Sequence, residues 1–158
     1  MRGVAKAVLA SIFISMFLLI FSSFIYFFPW YATLVVETFN ISQVVAGDNY
    51  LKESYYNDAL DRLKSRPLYR DVAILVDKEG YDSGRSARGV DDEKVYENLS
   101  ESEKPYRQRG ESIIVTVKAK YPLHIKIMGE YHERLIEVSF KMKTVGLKHY
   151  KDLDYYDI

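Results

Sequence analysis

The 158-residue chain contains no cysteine. That absence excludes a disulfide framework, a thiolate metal site and a cysteine nucleophile, so packing alone must stabilise whatever folds. An exported protein without disulfides fits the surface of a Gram-positive cell as well as a periplasm. Acidic residues are missing before Glu37, and of the 22 basic residues only Arg2 and Lys6 come earlier. The remainder carries 20 basic and 22 acidic side chains, without the basic surplus that nucleic-acid binding usually needs. Nucleic acid is therefore not an expected partner. There are three histidines, His124, His132 and His149. Only Glu130, His132 and Glu133 stand close together, and they lack the helical two-histidine spacing of a zinc protease. No glycine-rich phosphate loop follows a strand, and no serine has nucleophile-elbow flanks. The reading is of a protein that is not an enzyme, with no catalytic residue, no metal and no cofactor.

Charge is also missing throughout residues 7–36, a run of 30. Such a run exceeds a signal-peptide core of about 7 to 15 residues. As a helix it spans ~45 Å, whereas a hydrocarbon core of ~30 Å takes about 20 residues, so part of it must leave the lipid. Arg2 and Lys6 precede the run, and positive charge stays cytoplasmic, which places the N-terminus inside and the rest outside the cell membrane. Tyr26, Trp30 and Tyr31 supply an aromatic belt for the head-group level, and the span is expected over roughly residues 7–28. Pro29 interrupts a segment whose flanks are both helix-compatible, so it predicts a kink in a continuing helix rather than a stop.

Beyond Pro29, Leu34, Val35, Thr38, Ile41, Val44 and Val45 recur at helical spacing. Gly47, Asp48 and Asn49 offer a break or a new cap, after which Leu51, Tyr55, Ala59, Leu60 and Leu63 restore the stripe until Arg66 and Pro67 end it. "DVAILVD" at 71–77 reads as a short buried strand. Residues 78–111 carry Gly80, Gly84 and Gly89, many charges and almost no apolar period. They read as a long mobile loop with one helical turn near 91–99. In "IIVTVKAKYPLHIKI" the odd positions from Ile113 to Ile127 are apolar, apart from the tyrosine at 121, and the even ones are mostly polar. Pro122 marks an edge, a bulge or a bend. "RLIEVSFKMKTV" alternates again after Gly129, with Ile136, Val138, Phe140 and Met142 on one side, giving a hairpin with one apolar face.

A hairpin of this kind needs a cover, and the amphipathic helix is the long candidate. The expected fold is α+β: a transmembrane helix continuing as an amphipathic stalk packed on a small antiparallel sheet, a lollipop. Its parts are the cytoplasmic tip, anchor and start of the stalk (1–36), the extracytoplasmic stalk helix (37–66) and the β domain with its mobile loop (67–158).

This layout, with the "FFP" at 27–29 and the "VTVKAKYP" at 115–122, resembles type IV pilins and above all the TadE-like minor pseudopilins of tight-adherence systems. In that family processing cuts after a glycine and usually leaves a glutamate five residues into the mature helix. Were Gly3 that glycine, the fifth position would be Val8, with no carboxylate nearby, so Arg2 and Gly3 read instead as a juxtamembrane stop. The resemblance implies a minor or accessory membrane subunit of a pilus, secretion or conjugation-type envelope assembly, with membrane lipid and other pilin-like subunits, or copies of itself, as partners.

One surface constellation stands out. Lys118, Lys120, His124 and Lys126 share the wet face of the first hairpin strand, and Lys141 and Lys143 that of the second, which makes a candidate docking face for an acidic partner. Asp48, Glu53, Asp58 and Asp61, with Asp152, Asp154 and Asp157 in the tail, offer acidic surfaces on the same molecule. The expected function is a non-enzymatic, single-pass structural subunit; the alternative is a stand-alone anchored binding or sensor domain outside the cell.

Overall fold

The computed structural model describes residues 2–77, 86–127 and 130–153, without the side chains of Arg2, Ile20, Ser22, Ser23, Phe24, Asp77, Ile125, Lys126, Ile127 and Tyr131. The fold is α+β, with helices beside a small antiparallel sheet. The first helix, α1, runs over Arg2–Asp48 and contains Pro29, so the helix continues past the proline as expected where both flanks are helix-compatible. Its two halves differ sharply. Among the described residues, its large apolar side chains up to Ile25 are exposed, including Val8, Phe13, Phe17, Leu19 and Ile25, while Phe27 already packs against Trp30 and Tyr121. From Trp30 onward one stripe, Leu34, Thr38, Ile41 and Val45, is fully buried. Among the described residues no helix is long and apolar enough to cross a membrane, although the uncharged run of the sequence also includes the undescribed side chains at 20 and 22–24.

The expected single stalk over 37–66 is two helices. α1 stops at Asp48, a two-residue strand β1 (Leu51–Lys52) follows, and α2 (Glu53–Lys64) doubles back along the outer half of α1. The reversal is set by Asn49, whose φ of 61° no continuing helix can use and which asparagine tolerates better than most residues. Its amide is fully buried, donating to the carbonyls of Arg107 (2.7 Å) and Lys148, while its oxygen accepts from the Lys148 N–H (2.9 Å). At the far end of α2, Arg66 and Arg62 approach the buried Glu37 of α1 at 3.0 and 3.7 Å and pin the returning chain.

Strand β2 (Arg70–Asp77), β4 (Ser112–Ile127) and β5 (Glu130–Val145) form an antiparallel sheet in the order β2-β4-β5. β4 and β5 keep one register from Ser112↔Val145 to Ile127↔Glu130, the long hairpin that alternation predicts. Ile113, Val115, Val117, Ala119 and Tyr121 are buried, with Val138 and Phe140 partly buried against them, and they meet α1. Each such aliphatic side chain contributes roughly 1.5–3 kcal/mol.

The loop expected to be mobile over 78–111 divides. Residues 78–85 lie outside the described ones. Residues 86–111 are packed, through a short strand β3 (Arg88–Gly89) parallel to β1, two 3-10 turns (Glu93–Tyr96 and Glu101–Glu103), and a buried run at 104–108. The first turn falls where a helical turn is expected. This segment packs because its polar side chains find distant partners, both backbone carbonyls and a carboxylate, so their polarity does not force them into water. Gln108 donates to the carbonyls of Tyr150 and Leu153 at 2.8 and 3.1 Å, and Lys104 reaches Asp152 at 2.7 Å.

Candidate functional site

The bare and covered halves of α1 meet at Pro29. There Trp30 is only 4% exposed, its indole N–H donating to the Leu68 carbonyl at 3.1 Å and its ring packed on Tyr69 and Tyr121 at 4.8 and 5.2 Å. Tyr31 is half-buried, stacked on Phe27 and edge-on to Phe140. The sequence places Trp30 and Tyr31 in a lipid-facing belt; in the fold they seam the sheet domain to the helix, because their partners come from segments far along the chain. Tyr26, at 66% exposed, keeps an outward position. Tyr69 donates to the Trp30 carbonyl at 2.6 Å, and burial pushes its hydroxyl up to about 12. Lys6 lies in the bare half, Gly3 has open space around it, and the Arg2 side chain lies outside the described residues.

A mainly apolar cleft of about 250 Å³ opens beside this seam. Tyr26, Pro29, Trp30 and Thr33 form its helix wall, and the chain leaving α2, Arg66 to Tyr69, forms the other. That chain belongs to the run "RLKSRPLYR" at 62–70, which holds four cations and no acid.

On the polar sheet face, Lys118, Lys120, His124, Lys141 and Lys143 lie opposite the buried row and among residues of mixed charge. Register sets Lys118 beside Ser139, Lys120 beside Glu137, His124 beside Glu133, and Thr116 beside Lys141. Lys120 pairs with Asp71 at 2.8 Å, a hydrogen bond and charge contact that raises the lysine and lowers the carboxyl. His124 lies 3.6 Å from Glu133. Lys118, Lys141 and Lys143 complete the face, with Asp77 of β2 in the same cross-strand row as Lys143 through Ile114. The Lys126 side chain lies outside the described residues.

Sequence reasoning misses the buried polar knot at the end of the domain farthest from Pro29. Tyr106 and Tyr150 stack at 4.1 Å, and their hydroxyls bond Asp152 (2.6 Å) and Glu93 (3.1 Å). Burial, aided by these acids, raises both phenols. Burial alone would raise Asp152, but hydrogen bonds from Lys104 and Tyr106 outweigh it and hold its carboxyl below the usual range. The clue in the sequence is the C-terminal tyrosine cluster; Tyr155, Tyr156, Asp154 and Asp157 lie outside the described residues. Among the described residues no group of histidines and carboxylates could hold a metal ion. No family model matches the chain, and neither the curated proteins nor the solved structures include a match to it.

Proposed function

We propose that the chain is a single-pass membrane protein, N-terminus inside, whose outer domain serves as a non-enzymatic structural subunit of a pilus-like or secretion assembly in the cell envelope. The observation that carries the anchor is the change in α1 at Pro29. Before it, the described apolar side chains from Val4 to Ile25 are exposed with no protein cover, although a helix that is apolar on many sides requires an apolar surrounding. After it, the same helix is a stripe buried under the sheet. Residues 7–28 make a helix of ~33 Å, enough for a ~30 Å core. The pilin-like part of the reading rests on the resemblance together with this layout of one helix carrying an antiparallel sheet on its outer half.

Topology supplies the test of the anchor. Ser86 is exposed in the outer domain, and a cysteine there should react with an impermeant thiol reagent on intact cells. Labelling only after lysis reverses the orientation. For the assembly, cysteine at Leu18, on the bare helix, should crosslink to other membrane subunits or to a second copy. A chain that stays monomeric and uncrosslinked in native membranes is a lone anchored domain instead.

A further inference from the structure

The cleft beside Pro29 lies where the bare half of α1 gives way to the covered half. Its mouth is continuous with the uncovered helix through Tyr26, and its lining is mostly apolar. Arg66 is the cation that lines it. One nitrogen of Arg66 meets Glu37 at 3.0 Å, while the side chain remains 44% exposed, and a guanidinium carries five N–H donors, so one carboxylate contact leaves donors for a second anion. Arg62, Lys64 and Arg70 lie close to Arg66 along the chain, Arg62 being paired with Asp58 and 3.7 Å from Glu37, and the reversal at Asn49 returns this end of α2 to the level of Trp30. An apolar slot opening toward bare helix, with Arg66 in its wall, matches one chemistry: a lipid whose phosphate meets the cation and whose hydrocarbon meets the apolar lining.

We propose that this cleft seats one anionic phospholipid of the outer leaflet, its phosphate on Arg66 and its glycerol and upper acyl carbons against Trp30 and Tyr26. The proposal rests on the membrane-anchored reading above. It makes the lipid a spacer that fixes the height of the outer domain over the bilayer, since the same seam residues hold the sheet to α1.

Trp30 is the sole tryptophan, which turns the cleft wall into its own probe. The full chain is reconstituted in phosphatidylcholine vesicles, and a small fraction of the lipid is replaced by phosphatidylglycerol, or by phosphatidylcholine, brominated high on the acyl chain. Brominated phosphatidylglycerol should quench Trp30 with an apparent affinity about fivefold higher, the ratio matching the ~1 kcal/mol of one cation near an anionic surface. Arg66→Gln should bring the two lipids to parity. Because that change also removes a partner of Glu37, Thr33→Phe, which fills the cleft and leaves the charges intact, should do the same, with helix content by circular dichroism confirming that both variants fold. Lys141→Gln, on the distant sheet face, should leave the preference intact and excludes general surface charge. Equal quenching by both lipids in the unaltered protein overturns the cleft while leaving the anchor standing. A preference that survives both cleft variants overturns the location. Absence of quenching together with release of the protein by alkaline carbonate overturns the anchor and the lipid site together.

Discussion

Replacing Asn49 tests the reversal that folds α2 back on α1. The fully buried side chain makes three hydrogen bonds, two donated to the carbonyls of Arg107 and Lys148 and one accepted from the Lys148 N–H. At a net ~1 kcal/mol each, their loss in Asn49→Ala costs ~3 kcal/mol, and holding alanine at the left-handed φ of 61° adds roughly 1. The sum of ~4 kcal/mol is a large part of the 5–15 kcal/mol typical of whole domains. Asn49→Gly loses the same bonds without the backbone penalty and should recover about 1 kcal/mol relative to alanine. Gly146 supplies a cross-check, because a Cβ there would sit 2.7 Å from Asn49 Cγ. Gly146→Ala should cost ~1–3 kcal/mol alone and much less in the Asn49→Ala background, where the obstructing amide is gone. Urea unfolding of the chain in detergent, followed by Trp30 fluorescence, reads the four variants against the unaltered protein. If Asn49→Ala unfolds within ~1 kcal/mol of the unaltered chain, or the two substitutions simply add, the clasp is not what sets the turn.

The buried knot gives a pH dependence: Asp152 is depressed in the fold, so its contribution is present above the unfolded carboxylate range and lost as pH falls through the folded value. Thermal melts between neutral and acid pH should lose part of their acid limb in Asp152→Asn, and superimposable profiles contradict the assignment. Gly89→Ala would set a Cβ 2.5 Å from the Tyr96 hydroxyl and 2.6 Å from Pro105 Cγ, and should cost ~1–3 kcal/mol in the same melts. On the sheet face, Lys118→Glu with Lys141→Glu should change stability by under ~0.5 kcal/mol each and weaken recovery of an acidic partner from native membranes, an effect that added salt imitates for the unaltered protein. Unchanged recovery in both experiments reduces that face to a solvated surface.

Period-two alternation made the hairpin legible, because Ile113 to Tyr121 each decide their face by parity and a slip of one residue would invert them all. The helix break at 47–49 was legible too, but its direction was not. Asn49 turns the chain through partners 58 and 99 residues away, contacts that no local pattern encodes. Trp30 looked like a membrane-belt residue for the same reason: its carbonyl partner on Leu68 is 38 positions distant. The loop at 104–108 misled through composition, since Lys104, Arg107 and Gln108 are of types that usually face water yet are buried here. Strand alternation places the lysines on one face, but its mixed charge depends on cross-strand register, which sets Glu137 beside Lys120 and Glu133 beside His124.

Depth measurement along α1 tests the central claim, that one continuous helix is bare because lipid covers it and then buried because the sheet does. Spin labels placed singly at Phe17, Phe28 and Phe39, all exposed on the helix, are read in liposomes for collision with oxygen, which concentrates in hydrocarbon, and with a water-soluble nickel complex. The account predicts oxygen dominance at position 17, a crossover near 28 and nickel dominance at 39. Nickel dominance at all three positions would contradict it.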